Sequence, residues 1–278
     1  MLATMSDPTY SFVPPYTHPA TLLPALRQQG FALLPAADVA QLAGCPLADL
    51  AALGTSWQHL QPDAYLKDGG KYRKRRHASY VVDTRSMANT PSLDNTSNLD
   101  NTPSLANTDS AHSVQTTPHR AHWQPVEYNA LHGGMQRWFE PVEPSTHTPA
   151  WAALLGWMGS LANQLRSPQP WYTEAHQFRI DTEGGIGRPT PEGAHRDGVD
   201  LVAVFLVARE GVKGGETRVF DADGPSGQRF TLTEPWSVLL LDDARVIHET
   251  TPIQPTADNA HRDTLVVTLR AKSFQDAI

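Results

Sequence analysis

"DLVAVFLVARE", residues 200–210, is the stretch whose reading decides the fold. It is a continuous apolar run, rich in valine and of strand length, as expected for a strand buried on both faces. Working outward, "HQFRIDT" (176–182) alternates ahead of it, and "GGETRVFD" (214–221) follows a glycine turn. "QRFTLTE" (228–234), "WSVLLLDD" (236–243), "ARVIHETTPI" (244–253) and "DTLVVTLR" (263–270) continue the series, with polar turns between them. Short strands in succession without intervening helices predict an antiparallel sandwich or barrel rather than a parallel α/β sheet. A jelly roll suits this number of strands, so the expected class is mainly β with flanking helices.

The rest of the chain has three textures. Residues 18–67 are rich in Ala and Leu, with Gly30, Gly44 and Gly54 as punctuation. They predict short helices, so residues 1–70 are expected to form a helical cap packed on a jelly-roll domain spanning 71–278. "PAWAALLGWMGSLANQLRS" (149–167) is the strongest helix, with Leu154, Leu155, Met158, Leu161 and Leu165 at helical spacing and Pro168 and Pro170 as stops. "NTPSLDNTSNLDNTPSLANT" (89–108) is a hexapeptide repeat beginning at Asn89, Asn95, Asn101 and Asn107. One leucine per unit cannot fill the interior of a β-helix. Residues 85–120 therefore read as a low-complexity, disordered surface insertion.

The 278 residues carry a net charge of -7, which opposes a nucleic-acid partner recruited by bulk charge. "KYRKRRHASYVVD" (71–83) places five cations within six residues. Such a run reads first as a solvated face, and otherwise as a basic patch that meets an anionic ligand or orders a neighbouring loop. Cys45, the one cysteine, cannot form an intramolecular disulfide. No stretch has the length and apolarity of a membrane span, and the N-terminus lacks the pattern of a secretory signal. The expectation is a cytoplasmic protein with a small-molecule substrate and no membrane partner.

The chemistry centres on "PEGAHRDGVD" (191–200). In an extended segment His195 and Asp197 share a side, and Arg196 faces away from it. His248 lies on a later strand, which a jelly roll can bring alongside. Two imidazoles and one carboxylate on one face of an octahedron leave the other face open, the arrangement of non-haem Fe(II) oxygenases. H-x-D alone is common by chance, and a lone strand histidine is more often structural. Arg262, fourteen residues after His248, adds a cation suited to grip a dicarboxylate bidentately, with Thr264 on the same side of the strand. Arg270 has the same parity but lies roughly 27 Å of extended chain further on. Asp242 and Asp243 read either as partners that orient a ligand histidine or as turn residues.

The segments "YRKRRHASY", "EYNALHGGMQRWFEPV", "EAHQFRI", "PTPEGAHRDGVDLVAVFLV", "GGETRVFD", "LLLDDARVIHETTPI" and "HRDTLVVTL" occur in that order. In these the chain resembles the bacterial Fe(II)/2-oxoglutarate dioxygenases that hydroxylate free L-amino acids, the isoleucine dioxygenase group. The resemblance covers most of residues 71–270 apart from the repeat. It implies a double-stranded β-helix (jelly roll, cupin-like) core with Fe(II) on His195, Asp197 and His248, and 2-oxoglutarate with its far carboxylate on Arg262 and Thr264. It also implies O2-dependent hydroxylation of an aliphatic side chain, or sulfoxidation of a thioether, coupled to decarboxylation of 2-oxoglutarate to succinate. Substrate-binding candidates are Tyr128, Arg137, Arg179 and Glu192. Structural pairing competes for the two arginines, and a core position for Tyr128. The same chemistry on a carrier-tethered or specialised-metabolite substrate, and a non-catalytic cupin-like binding protein, are the alternatives.

Overall fold

A computed structural model describes residues 13–67, 69, 71–84 and 113–277. In chain order the strands are β1 (Phe31–Leu34), β2 (Gln61–Pro62), β3 (Arg73–Asp83), β4 (Ser113–Thr116), β5 (Trp171–Asp181), β6 (Leu201–Glu210) and β7 (Val212–Gly214). They continue with β8 (Thr217–Asp221), β9 (Gly227–Phe230), β10 (Val238–Leu241), β11 (Val246–Thr250), β12 (Ile253–Pro255) and β13 (His261–Arg270). The helices are α1 (Leu22–Gln29), α2 (Ala36–Ala43), α3 (Leu47–Leu53) and α4 (Pro149–Leu165).

An eight-stranded antiparallel sheet runs β1-β10-β6-β13-β5-β3-β2, with β4 on β3; β11-β8-β9 and β12-β7 form two smaller sheets. This is an antiparallel β core flanked by short helices, consistent with the double-stranded β-helix class. Strand parity divides the core into two layers. Leu265, Val267 and Leu269 of β13 join Trp57, Trp151 and Leu154 in the layer beneath the helices. Val202, Leu206, Val219, Phe230 and Val246 fill the layer between the sheets. Helix α4 begins where Thr148 accepts the Trp151 N–H and Pro149 occupies the first turn.

Three expectations change. Phe31–Leu34 is a strand paired with β10, not part of a helix. Ala32 and Leu34 face the helical layer while Phe31 and Leu33 face the inter-sheet layer, so burial on both sides overrides the Ala/Leu composition. Part of the 1–70 segment is therefore an edge of the main sheet. Within the expected 85–120 insertion, residues 113–120 are ordered differently: Ser113–Thr116 pair with Val82, Val81 and their neighbours on β3. Its residues 85–112 lie outside the described residues. Finally, the basic run is not a solvated face. It alternates along β3, and Arg73, Arg75 and His77 are only 5%, 3% and 0% exposed. Lys74 and Arg76, on the other parity, reach Asp181 at 3.3 Å and Glu143 at 3.0 Å. Among the described residues no single helix is long and apolar enough to cross a membrane.

Candidate active site

The inner faces of β3, β5 and β13, strand β11 and the 189–199 segment line one cavity. The sheet register aligns its wall: Arg262, Ile180 and Arg73 lie across from one another on β13, β5 and β3, followed by Thr264, Phe178 and Arg75. The next row is Val266, His176 and His77. A larger groove, about 500 Å³, lies beside α3 and the start of α4. It lacks the His/Asp and His/Glu clusters of the inner cavity.

His195 and His248 form an isolated antiparallel bridge, exchanging backbone hydrogen bonds of 3.0 and 2.9 Å. That bridge brings together His195, Asp197 and His248, whose potential ligand atoms all lie within 4.8 Å of one another. His195 donates its Nδ1–H to the Gly193 carbonyl at 2.9 Å, which leaves Nε2 with a free lone pair. His195 Nε2 stands 3.9 Å from one Asp197 oxygen and His248 Nε2 stands 3.8 Å from the other. These gaps are too long for hydrogen bonds, so both imidazole Nε2 atoms face the carboxylate without bonding to it.

The charge balance also suits a cation. Burial pushes the Asp197 carboxyl above its usual range, opposed by His195 and aided by Glu192. Burial and then Asp197 push Asp243 up to about 7 against three backbone N–H bonds. Burial favours the neutral His195 ring, but Asp197 and Glu192 outweigh it and raise its pKa; burial and His195 hold His248 well below the usual value. One Glu192 oxygen is buried without a partner. A divalent ion between His195, Asp197 and His248 would relieve this crowding, so the residues fit Fe(II).

Asp243 hydrogen-bonds to neither His195 nor His248. Its carboxylate accepts from the backbone N–H groups of Asp197 (2.9 Å), Gly198 (2.7 Å) and Val199 (3.1 Å), which fixes the 197–199 loop. Asp242 instead pairs with Arg166. Gly198 is the tight point of the loop, with φ at +76° and a Cβ position 2.4 Å from the Tyr128 ring. Asp243→Asn is expected to weaken metal affinity by about 10–100-fold. A chelator-competition titration measures this; turnover per bound metal should change far less.

Arg262 and Thr264 are buried on the cavity wall, 4% and 3% exposed. Arg262 has no ion pair with a described residue, and burial pushes its pKa down to about 10. Of the substrate candidates, Arg137 and Glu192 line the cavity; Tyr128 and Arg179 do not. Arg179 is held bidentately by Asp263 at 2.8 and 2.6 Å, the structural pairing that competes with a substrate role. Tyr128 packs against Gly198 and beneath Arg196, whose guanidinium lies 5.9 Å from the ring centroid. Arg196 is absent from the cavity lining, as its alternation with His195 and Asp197 implies. Arg270 is occupied by Ser273 and Phe274.

Sequence reasoning missed Arg73, Arg75 and Gln124. Arg73 and Arg75 approach Asp63 at 2.8 and 3.9 Å. Gln124 donates to Asp197 at 3.2 Å and accepts from Arg137 at 2.8 Å, joining the Asp197 carboxylate to a buried cation. Arg73, Arg75 and His77 share one strand parity, but Lys74 and Arg76 are cations on the other, so the sequence does not mark the buried side, and nothing in it pointed to Gln124.

The family model for 2OG-Fe dioxygenases matches residues 54–268. The crystal structure of a BsmA homologue from Methylobium petroleophilum PM1 is 49% identical, covers 97% of this chain and 99% of its own, and superposes with a TM-score of 0.82. IDO from Bacillus thuringiensis shares the fold at 17% identity and a TM-score of 0.67, over 92% of this chain and 99% of its own. The Fe(II)/α-ketoglutarate-dependent dioxygenase TqaL does so at 19% identity and 0.59, over 90% and 86%. No curated protein matches. With a matched family model over most of its length and a His-Asp-His cluster inside the β core, the chain belongs to the 2OG-Fe dioxygenase family of enzymes.

Proposed function

We propose that the protein hydroxylates an aliphatic carbon of a free L-amino acid, using Fe(II), O2 and 2-oxoglutarate and releasing succinate and CO2. On a thioether the same chemistry gives a sulfoxide. Bound by His195, Asp197 and His248, Fe(II) supplies the activation of O2. Arg262 grips the far carboxylate of 2-oxoglutarate, with the Thr264 hydroxyl as a further donor.

The observation that carries the amino-acid reading is Arg137. It is 2% exposed, faces the cavity, and has no carboxylate within ion-pair distance among the described residues. Its Nε is buried without a partner. Burial pushes its pKa down to about 10, so it remains charged at neutral pH. A buried cation without a counterion is costly, and an incoming carboxylate supplies one. Since Arg262 serves 2-oxoglutarate, Arg137 is left for the substrate carboxylate. Glu192 is the complementary group for an ammonium, its Oε1 3.6 Å from His195 Nε2 and its Oε2 unpartnered. A zwitterion held between them lies beside the metal ligands. The buried walls keep water from the reacting carbon.

The test is succinate formation by the Fe(II)-loaded protein with 2-oxoglutarate, O2 and free L-amino acids, together with a search for a product heavier by one oxygen. If succinate release never depends on an amino acid, the reading fails. Arg137→Met is expected to raise KM for the amino acid by about 30-fold or more, with KM for 2-oxoglutarate nearly unchanged. Arg137→Lys should restore little, because a lysine cannot reproduce the planar fork.

A further inference from the structure

The same cavity has a second polar group that this reading leaves unused. His77, His122, Glu174 and His176 offer atoms within 4.8 Å of one another, and by composition they match a metal site. Their hydrogen bonds point elsewhere. Arg75 Nη2 lies 2.7 Å from His176 Nδ1. A guanidinium has donors only, so Nδ1 accepts and the ring proton of neutral His176 sits on Nε2. A protonated nitrogen cannot ligate a metal. Arg75 has little freedom to turn away, because its guanidinium lies 3.7 Å from the Phe139 centroid and 4.3 Å from that of Phe178.

His122 has the opposite tautomer. Glu174 lies 3.1 Å from His122 Nδ1 through one oxygen and 3.1 Å from His77 Nε2 through the other. A carboxylate accepts from both rings, which leaves the His122 lone pair on Nε2. Burial pushes the His122 pKa down to about 4 and holds that of His176 well below its usual value, so both rings are neutral. Both residues line the cavity, and neither Nε2 is among the buried polar atoms that lack a partner. The rings meet edge to face with centroids 4.6 Å apart. One wall of the cavity thus presents a fixed donor beside a fixed acceptor.

We propose that His122 and His176 form a substrate subsite that reads a group able both to accept and to donate a hydrogen bond, a carboxamide or a hydroxyl on the substrate's side chain. His176 Nε2–H donates to its oxygen, and His122 Nε2 accepts from its N–H or O–H. Glu174 and Arg75 are positioning residues that lock the two tautomers. The location of that group on an amino-acid side chain rests on the reading above.

Three measurements test this. Long-range 1H–15N spectra of the full chain with 15N-labelled histidine should show His176 as the Nε2–H tautomer and His122 as the Nδ1–H tautomer. Single His→Gln variants assign the two signals. An Nδ1–H tautomer at His176, or an imidazolium at either position near neutral pH, overturns the proposal. Zinc titration of Asp197→Ala should find no tightly bound equivalent; a retained equivalent makes the cluster a metal site and also overturns it. Turnover is then compared within isosteric pairs, L-asparagine against L-leucine for the carboxamide and L-threonine against L-valine for the hydroxyl. In at least one pair the polar member should win by a factor on the order of 10². His176→Phe should bring that ratio towards one while KM for 2-oxoglutarate holds. Apolar members that turn over as fast as their polar partners sink the subsite. If no free amino acid supports succinate release, the amino-acid reading falls, and the tautomers and the zinc count still decide the subsite.

Discussion

Asp197→Ala is expected to yield a folded protein that holds no stoichiometric Fe(II) and turns over at least about 10³-fold more slowly than the wild type. It removes the anionic member of the proposed ligand set, whose oxygens stand 3.9 Å from His195 Nε2 and 3.8 Å from His248 Nε2. Two neutral imidazoles alone hold a divalent ion weakly, and a 10³-fold loss corresponds to about 4 kcal/mol of transition-state stabilisation. The fold should persist because the Asp197 side chain supports little else. Asp243 holds the loop through backbone N–H groups that the substitution retains, and Gln124 keeps its bond to Arg137. Without metal, the variant should melt no lower than the wild type, since the Asp197 carboxylate is buried near Glu192 and Asp243. Metal content after dialysis, succinate release and thermal melts check the three parts. One equivalent of retained metal, or turnover within tenfold of the wild type, would falsify the ligand assignment.

The strand series was legible because most of the core strands carry an alternating or continuous apolar pattern. The helix α4 was legible from its apolar spacing and its Pro stops. β1 was not, since "FALL" has the composition of the helices on either side of it and becomes a strand only because β10 offers a partner. The basic run was misread for a related reason. Burying Arg73 and Arg75 requires Asp63, just after β2, and the rings of Phe139 and Phe178, which are distant in sequence. Within the candidate site, H-x-D and His248 needed only strand parity and a bridge to meet. Arg179 had the right chemistry on the wrong face: on β5 the cavity takes Glu174, His176, Phe178 and Ile180, and Arg179 alternates away from them to Asp263. Parity separates these residues in the sequence, but which parity points inward is set by the neighbouring strands.

Arg262→Ala should raise KM for 2-oxoglutarate by a factor on the order of 10² or more and leave the fold intact. Arg262 is 4% exposed and opposes Ile180 on one neighbouring strand and Arg209 on the other. Neither contact neutralises it, and Arg209 also disfavours its charge. Truncating one partner of a buried, hydrogen-bonded charge pair removes about 2–5 kcal/mol of binding, much of it the penalty of leaving the other charge unpaired. In this case the charge left unpaired is the ligand's. The neighbouring cation is a poor replacement: Arg209 donates to the Gly214 carbonyl at 2.6 Å. A purely structural arginine predicts the opposite pattern, a lower melting temperature with unchanged KM. As a ligand anchor, its removal instead relieves a buried unpaired cation, so the metal-free melting temperature should hold or rise. The sharpest readout is discrimination between co-substrates. The wild type should prefer 2-oxoglutarate strongly over 2-oxopentanoate, which lacks the far carboxylate, and Arg262→Ala should lose most of that preference. Arg262→Lys should recover only part of it, because an ammonium makes no bidentate pair with a carboxylate. An unchanged KM for 2-oxoglutarate in Arg262→Ala would move the anchor elsewhere in the cavity, with Arg73 the next buried guanidinium along the same row.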